Sequence, residues 1–172
     1  KKTEADITGR GYSNHDITKL FSDEIFTDSS LNHTYGLACY WIPLLCRYTG
    51  ARLSEIAQLN QSDIGCDEND IYYLNIRRGD GQSIKTDSSL RHIPVPEHII
   101  ELGFLDYVDN AKGRLFSDLT TGTYGKYSGA FSKWWSAKVK AKGIAISQPT
   151  HAFRHAFKTE MRALGVSDSV SD

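Results

Sequence analysis

The longest nearly continuous apolar stretch covers residues 35–48, Tyr-Gly-Leu-Ala-Cys-Tyr-Trp-Ile-Pro-Leu-Leu-Cys-Arg-Tyr. A helix that is apolar all round belongs in a core, so this stretch predicts a buried central helix. Pro43 would remove an interior hydrogen bond, and a kink or a helix start is expected beside it. Thr49-Gly50 breaks the helix, and a second opens at about Ala51 with Leu53, Ile56, Ala57 and Leu59 facing inward. Ahead of both, Asp16 is the expected N-cap of a short helix carrying Leu20, Phe21 and Ile25. In the second half, a helix over 97–110 is expected to bury Ile99, Ile100, Leu102 and Leu105, and Phe116 to anchor the loop after it. A long helix over 124–142 places Phe131, Trp134, Trp135 and Val139 on one side and closes at Gly143; a last one spans 151–164 and ends at Gly165.

Between these halves the signal changes. Ile71-Tyr72-Tyr73-Leu74-Asn75-Ile76 is rich in β-branched and aromatic residues and predicts a strand, bounded by the turns Asp67-Glu68-Asn69-Asp70 and Gly79-Asp80-Gly81. Further strands are expected over 82–86 and 90–95, where Pro94 and Pro96 end the last. The expected fold is therefore mainly α with a small antiparallel β-sheet, an α+β class. Residues 1–14 are polar, with Gly9, Gly11, Ser13 and Asn14, and read as a linker or disordered lead; residues 15–172 form one domain.

Composition narrows the chemistry. No apolar run approaches the roughly 20 residues of a membrane span, and no apolar stretch follows Lys1-Lys2-Thr3-Glu4, so neither a membrane anchor nor a signal peptide is expected. Cys39, Cys46 and Cys66 lack paired spacing, which argues against a disulfide framework or a zinc site; Cys39 and Cys46 should be core thiols in a reducing, cytoplasmic setting. No metal set and no Gly-rich phosphate loop is visible, and no cofactor is expected. The net charge of -1 hides an asymmetry: residues 1–76 carry six basic and eleven acidic side chains, residues 111–172 ten and four. A polyanion such as a nucleic acid would meet the basic half, and Lys133, Lys138, Lys140 and Lys158 are candidate contacts there.

Candidate chemistry gathers at His151-Ala152-Phe153-Arg154-His155, where two imidazoles and a guanidinium open a helix. A helix N-terminus favours an approaching anion and a neutral His151. His155 is expected to be buried and hydrogen-bonded in a supporting role. Arginine's planar fork donates two parallel charge-assisted bonds to a phosphate, so Arg154 and the distant Arg52 could hold both non-bridging oxygens of a phosphodiester. Arg52 is flanked by Gly50, Ala51 and Ser54, small enough for a substrate to approach; its plainer reading is a surface arginine paired with Glu55 at i+3. Lys85, on an expected hairpin, could deliver a proton to a leaving oxygen.

These pieces, in this order, resemble the tyrosine recombinases of the phage integrase family. The resemblance rests on Tyr48-Thr49-Gly50-Ala51-Arg52-Leu53-Ser54-Glu55-Ile56, on the lysine hairpin ending in Arg91-His92-Ile93-Pro94, and on His151-Ala152-Phe153-Arg154-His155-Ala156-Phe157. It implies the integrase-like catalytic core of DNA breaking-rejoining enzymes and site-specific DNA recombination or integration by metal-free transesterification through a 3′-phosphotyrosyl intermediate. By the same resemblance Arg52 and Arg154 clamp the phosphate, Lys85 is the general acid, His151 assists proton transfer and Glu55 buttresses Arg52. The implied partner is double-stranded DNA at attachment sites, the full-length protein acting as a tetramer, in the cytoplasm of a bacterium or encoded by a phage.

The chain also departs from the family. No tyrosine stands after Arg154, and Tyr124 and Tyr127 precede it on an expected core helix. The His or Trp that follows the second arginine in the family, and the nucleophilic tyrosine beyond it, are not found. The expectation is a catalytic domain truncated before its nucleophile, monomeric and by itself inactive. Two alternatives share the residue set: a non-enzymatic DNA-binding module with this fold, and a type IB topoisomerase.

Overall fold

In the computed structural model, which describes residues 11–28, 33–79, 81–84, 89–122 and 125–167, the first helix starts ahead of Asp16. Ser13 is its N-cap: Ser13 Oγ accepts from the Asp16 backbone N–H at 3.1 Å, and Asp16 Oδ2 accepts from the Ser13 backbone N–H at 3.0 Å. Asp16 is thus the reciprocal partner in a capping box, not the cap. The helix expected over this stretch is two, α1 (Asn14–Phe21) and α2 (Glu24–Thr27), because Asp23 caps anew by accepting from Ile25 N–H at 3.2 Å. Of the expected lead, residues 1–10 lie outside the described residues, and residues 11–13 are not loose. Tyr12 is buried; its hydroxyl donates to Pro149 O at 2.8 Å and accepts from Trp135 Nε1 at 3.2 Å.

The central helix α3 (Ala38–Thr49) continues through Pro43. The lost hydrogen bond costs about 3 kcal/mol. It is outweighed by burial of Ile42, Leu44, Leu45 and their neighbours, each worth about 2 kcal/mol. Cys39 and Cys46 are buried as expected, and burial pushes both thiols above their ordinary value. Gly50 ends α3 in the left-handed region at φ 66°, its N–H donating to Cys46 O. A single turn, α4 (Leu53–Ile56), follows at once.

The sheet has three antiparallel strands in the order β1 (Ile64–Cys66), β2 (Tyr72–Ile76), β3 (Arg91–Pro94). Leu74 at its centre pairs with Ile64 on one side and Ile93 on the other. β2 and β3 match the expected strands over 71–76 and 90–95. β1 is too short to show alternation in the sequence, and Gly65 lets the Tyr73 ring lie over its backbone. Residues 82–84 do not form the strand expected there. They are held by side chains: Gln58 Nε2 donates to Ser83 O at 2.8 Å, and Ser83 N–H donates to Gln58 Oε1 at 2.9 Å. Gln82 Nε2 reaches the Gln58 carbonyl at 3.1 Å and the buried Asp63 carboxylate, which also accepts from Arg77 Nε at 2.6 Å.

The helix expected over 97–110 splits into α5 (Glu97–Glu101) and α6 (Phe104–Asp109) at Gly103, whose φ of 90° breaks the backbone and leaves Leu102 exposed. The long helix is α7 (Ser128–Ala141), with Phe131, Trp135 and Val139 buried, Trp134 half-buried and Gly143 after its end. Tyr124, where its start was expected, lies outside the described residues. α8 (Pro149–Ala163) begins earlier than expected because Pro149 fits its first turn. α8 lies against both α3 and α7. Arg47 of α3 grips Glu160 of α8 with two hydrogen bonds of 2.7 Å each. The Phe157 ring rests on Gly50, where a Cβ would overlap it.

That contact sets a test. Gly50→Ala combines a left-handed backbone with overlap on Phe157, and is expected to lower the unfolding free energy by about 2–4 kcal/mol. Urea titration followed by circular dichroism measures it; a change under about 0.5 kcal/mol would mean that the α3–α8 seam is looser than described.

Candidate functional site

Arg52 occupies the N-cap position of α4 and is oriented by the residue three places on. Glu55 Oε2 accepts from the Arg52 backbone N–H at 2.9 Å, and Glu55 Oε1 accepts from Arg52 Nη1 at 2.8 Å. The expected i,i+3 pair exists, but Glu55 is only 2% exposed and is shared. Arg91, at the start of β3, donates through Nη2 to Glu55 Oε2 at 2.9 Å and through Nη1 to Oε1 at 3.4 Å. Ser89 closes the ring: its carbonyl accepts from Arg91 Nη1 at 2.8 Å and its Oγ from Arg52 Nη1 at 3.3 Å. Among the described residues, Arg52 is engaged only through Nη1 and its backbone N–H. Its Nε and Nη2 donors make no hydrogen bond to the described residues.

Arg154 enters from α8. Its Nη1 donates to Gly50 O at 2.7 Å, so its guanidinium reaches the chain two residues from Arg52. The start of α8 is fixed by the Tyr12–Pro149 bond and by the packing of Phe153 against Tyr12 at 4.8 Å between ring centroids. Burial raises the Tyr12 phenol well above its ordinary value, so it remains a donor. His151, in the first turn of α8, is exposed and borders a cleft.

That cleft has a volume of ≈ 650 Å³ and lies between α4, the 81–84 arm and the starts of α7 and α8. Arg52, Lys126, Lys133 and His151 border it, with Ser54, Ser128, Ser132 and Thr150 as hydroxyl donors and Gly81, Gly125 and Gly129 leaving room. No carboxylate is among its described lining residues. A concavity with cationic and hydroxyl donors and no acidic wall attracts anions. Its far wall is held by Arg114, which donates to the carbonyls of Leu119 and Phe116 at 3.0 Å each and lies 3.3 Å from the Tyr127 ring centroid.

The expected site residues divide accordingly. Arg52, His151 and Lys133 border the cleft; Glu55 stands behind Arg52; Arg154 reaches Gly50 without bordering the cleft itself. Lys85 lies outside the described residues, although Ile84 before that gap borders the cleft and Ser89 after it bonds Arg52. His155 is exposed, not buried as expected: it shares a solvent-facing stripe of α8 with His151 and Thr159. Lys138 is turned away to Asp23, 3.5 Å from Oδ1, and Lys142 joins it at 2.8 Å from Oδ2. Burial raises the Asp23 carboxyl, but the hydrogen bond from Lys142 and the cap bond from Ile25 bring it below its ordinary value. Lys140 is exposed on α7 and Lys158 half-buried on α8. Sequence reasoning missed Arg91, Ser89 and Lys126 as site residues. A lone arginine at a strand start carries no signal that it meets a glutamate 36 residues earlier.

Among the described residues no cluster of His, Cys, Asp and Glu could hold a metal ion, and no helix is long and apolar enough to cross a membrane. No protein-family model and no curated protein sequence matches this chain.

Burial by itself would raise the Glu55 carboxyl, but the hydrogen bonds from Arg91 and from the Arg52 backbone, with the charges behind them, hold it below its ordinary 4.5. A carboxyl with a depressed folded pKa contributes stability above its unfolded value and loses it as pH falls through the folded one. Glu55→Gln is therefore expected to cost about 1–3 kcal/mol at neutral pH. The difference from wild type should shrink as the pH drops below 4.5, the direction set by that depressed carboxyl. Paired urea titrations across pH check it, and a pH-independent gap would remove the charge from the account.

Proposed function

We propose that the cleft holds a phosphodiester of duplex DNA, and that the chain is the phosphate-binding core of a tyrosine recombinase of the integrase type. The observation that carries this reading is Arg52: its orientation is fixed by a buried carboxylate, while two of its guanidinium nitrogens remain for an anion in a cleft without acidic lining among its described residues.

In this reading Arg52 donates to one non-bridging oxygen from the cleft wall, Arg154 turns from the Gly50 carbonyl towards the cleft to donate to the other, and both stabilise the charge of the five-coordinate transition state. A tyrosine oxygen forms the new bond to phosphorus as the bond to the 5′ oxygen breaks. His151 takes up the tyrosine proton, and Lys85 gives one to the leaving oxygen. The phosphotyrosyl bond conserves the energy of the phosphodiester, so attack by a 5′ hydroxyl rejoins the strand with no nucleotide cofactor. Lys126 and Lys133 extend the cationic surface along the cleft and suit neighbouring phosphates.

Binding and cleavage test different halves of the proposal. Fluorescence anisotropy with a labelled DNA duplex is expected to show affinity falling about tenfold for Arg52→Ala or Arg154→Ala, with the slope against salt reduced by about one ion. In the natural full-length protein, the same substitutions should slow strand cleavage by about a hundredfold or more, since one transition-state donor is worth about 3 kcal/mol. Cleavage is read as a covalent protein–DNA adduct on nicked suicide substrates. Cleavage at the normal rate in either variant would refute the clamp. Wild-type binding with no adduct on any substrate would favour a DNA-binding module over an enzyme.

A further inference from the structure

The Glu55 carboxylate poses an electrostatic problem that Arg91 resolves. A carboxylate paired with Arg52 alone would orient it but also neutralise it, and a neutral pair has little attraction for a phosphate. Glu55, itself buried, instead receives two half-buried guanidinium groups, Arg52 at 2.8 Å and Arg91 at 2.9 Å, so the trio retains one positive charge. Geometry divides the labour. Arg91 lies across both carboxylate oxygens, with Nη2 on Oε2 at 2.9 Å and Nη1 on Oε1 at 3.4 Å, whereas Arg52 spends only Nη1 and its backbone N–H on Glu55. Arg91 also holds the Ser89 carbonyl at 2.8 Å, and the Ser89 hydroxyl accepts from Arg52. One side chain thereby fixes the carboxylate, Ser89 and the orientation of Arg52.

We infer that Arg91 is a positioning residue for Arg52: it cancels the charge of Glu55, so that Glu55 can orient Arg52 without drawing away its attraction for a phosphate. The inference rests on the reading of the cleft as a phosphate site. It separates from a plainly structural role because it predicts a rescue. If Arg91 matters through charge, removing the Glu55 charge must compensate for losing it. If Arg91 matters only by packing or by tying β3 down, a second substitution in the same cluster can only add damage.

The test is duplex-DNA binding, by anisotropy at fixed salt, for wild type, Arg52→Ala, Arg91→Gln, Arg91→Lys, Glu55→Gln and the double variant Arg91→Gln/Glu55→Gln, with thermal unfolding of each recorded. Arg91→Gln is expected to weaken binding about tenfold, since the Glu55 carboxylate then has Arg52 alone as its charge partner and neutralises it. Arg91→Lys keeps the charge and should stay within about threefold of wild type. The double variant should return to within about threefold of wild type, because the amide oxygen introduced by Glu55→Gln still accepts from Arg52 and the cluster keeps the single positive charge that it has in wild type. Should Arg91→Gln fail to fold, the double variant decides alone, as it buries no unpaired charge. Binding by the double variant as weak as that of Arg52→Ala, or full binding by a folded Arg91→Gln, overturns the inference. If Arg52→Ala itself binds like wild type, the phosphate reading of the cleft fails, and that result is distinct from either.

Discussion

A buried carboxylate cannot stay ionised without partners, and Glu55 has four donors to keep it so: Arg52 Nη1, the Arg52 backbone N–H and both Arg91 terminal nitrogens. Three parts of the chain converge on it. The backbone donor starts α4, Arg91 starts β3, and Ser89, two residues before β3, bonds both arginines. An unpaired charge at that depth would cost several kcal/mol, which is why the helix, the strand and Ser89 must meet in this arrangement. The cleft is a consequence. Arg52, held by Glu55, borders the space between α4 and the starts of α7 and α8.

Much of this was legible in the sequence, and for identifiable reasons. The 35–48 stretch announced α3 because continuous hydrophobicity needs a core, and β2 and β3 were visible because their residues are β-branched and aromatic. The misses share a cause: side chains doing what a backbone pattern cannot encode. Asp16 and Asp23 both look like caps, and only the Ser13 hydroxyl and the Ile25 amide tell their roles apart. Residues 82–84 are held by Gln58 and Asp63 where strand pairing was expected. A contiguous apolar–polar count likewise cannot reveal that Gly103 divides one helix into two.

For the site, local spacing identified Arg52, Glu55, His151 and Arg154, but not how they are arranged. Arg154 reaches the chain two residues from Arg52 because Gly50 lacks a side chain under Phe157 and offers its carbonyl to Arg154. The lysines of α7, which look like one basic cluster in the sequence, divide by helical phase: Lys133 faces the cleft, Lys138 and Lys142 face Asp23. His155 shows the same limit, since its place in a motif said nothing of the stripe of α8 on which it falls.

The bond between Tyr12 and Pro149 joins residues 137 positions apart, Arg47–Glu160 spans 113 and Arg154–Gly50 spans 104. A chain emerging from a ribosome at about 5–20 residues per second has its first packed tyrosine waiting many seconds for the proline it bonds. The helices and the sheet between them can form meanwhile, but α8 cannot be seated against α3 until it has been made. The cleft between α4 and the starts of α7 and α8 therefore comes into existence only when synthesis has passed α8.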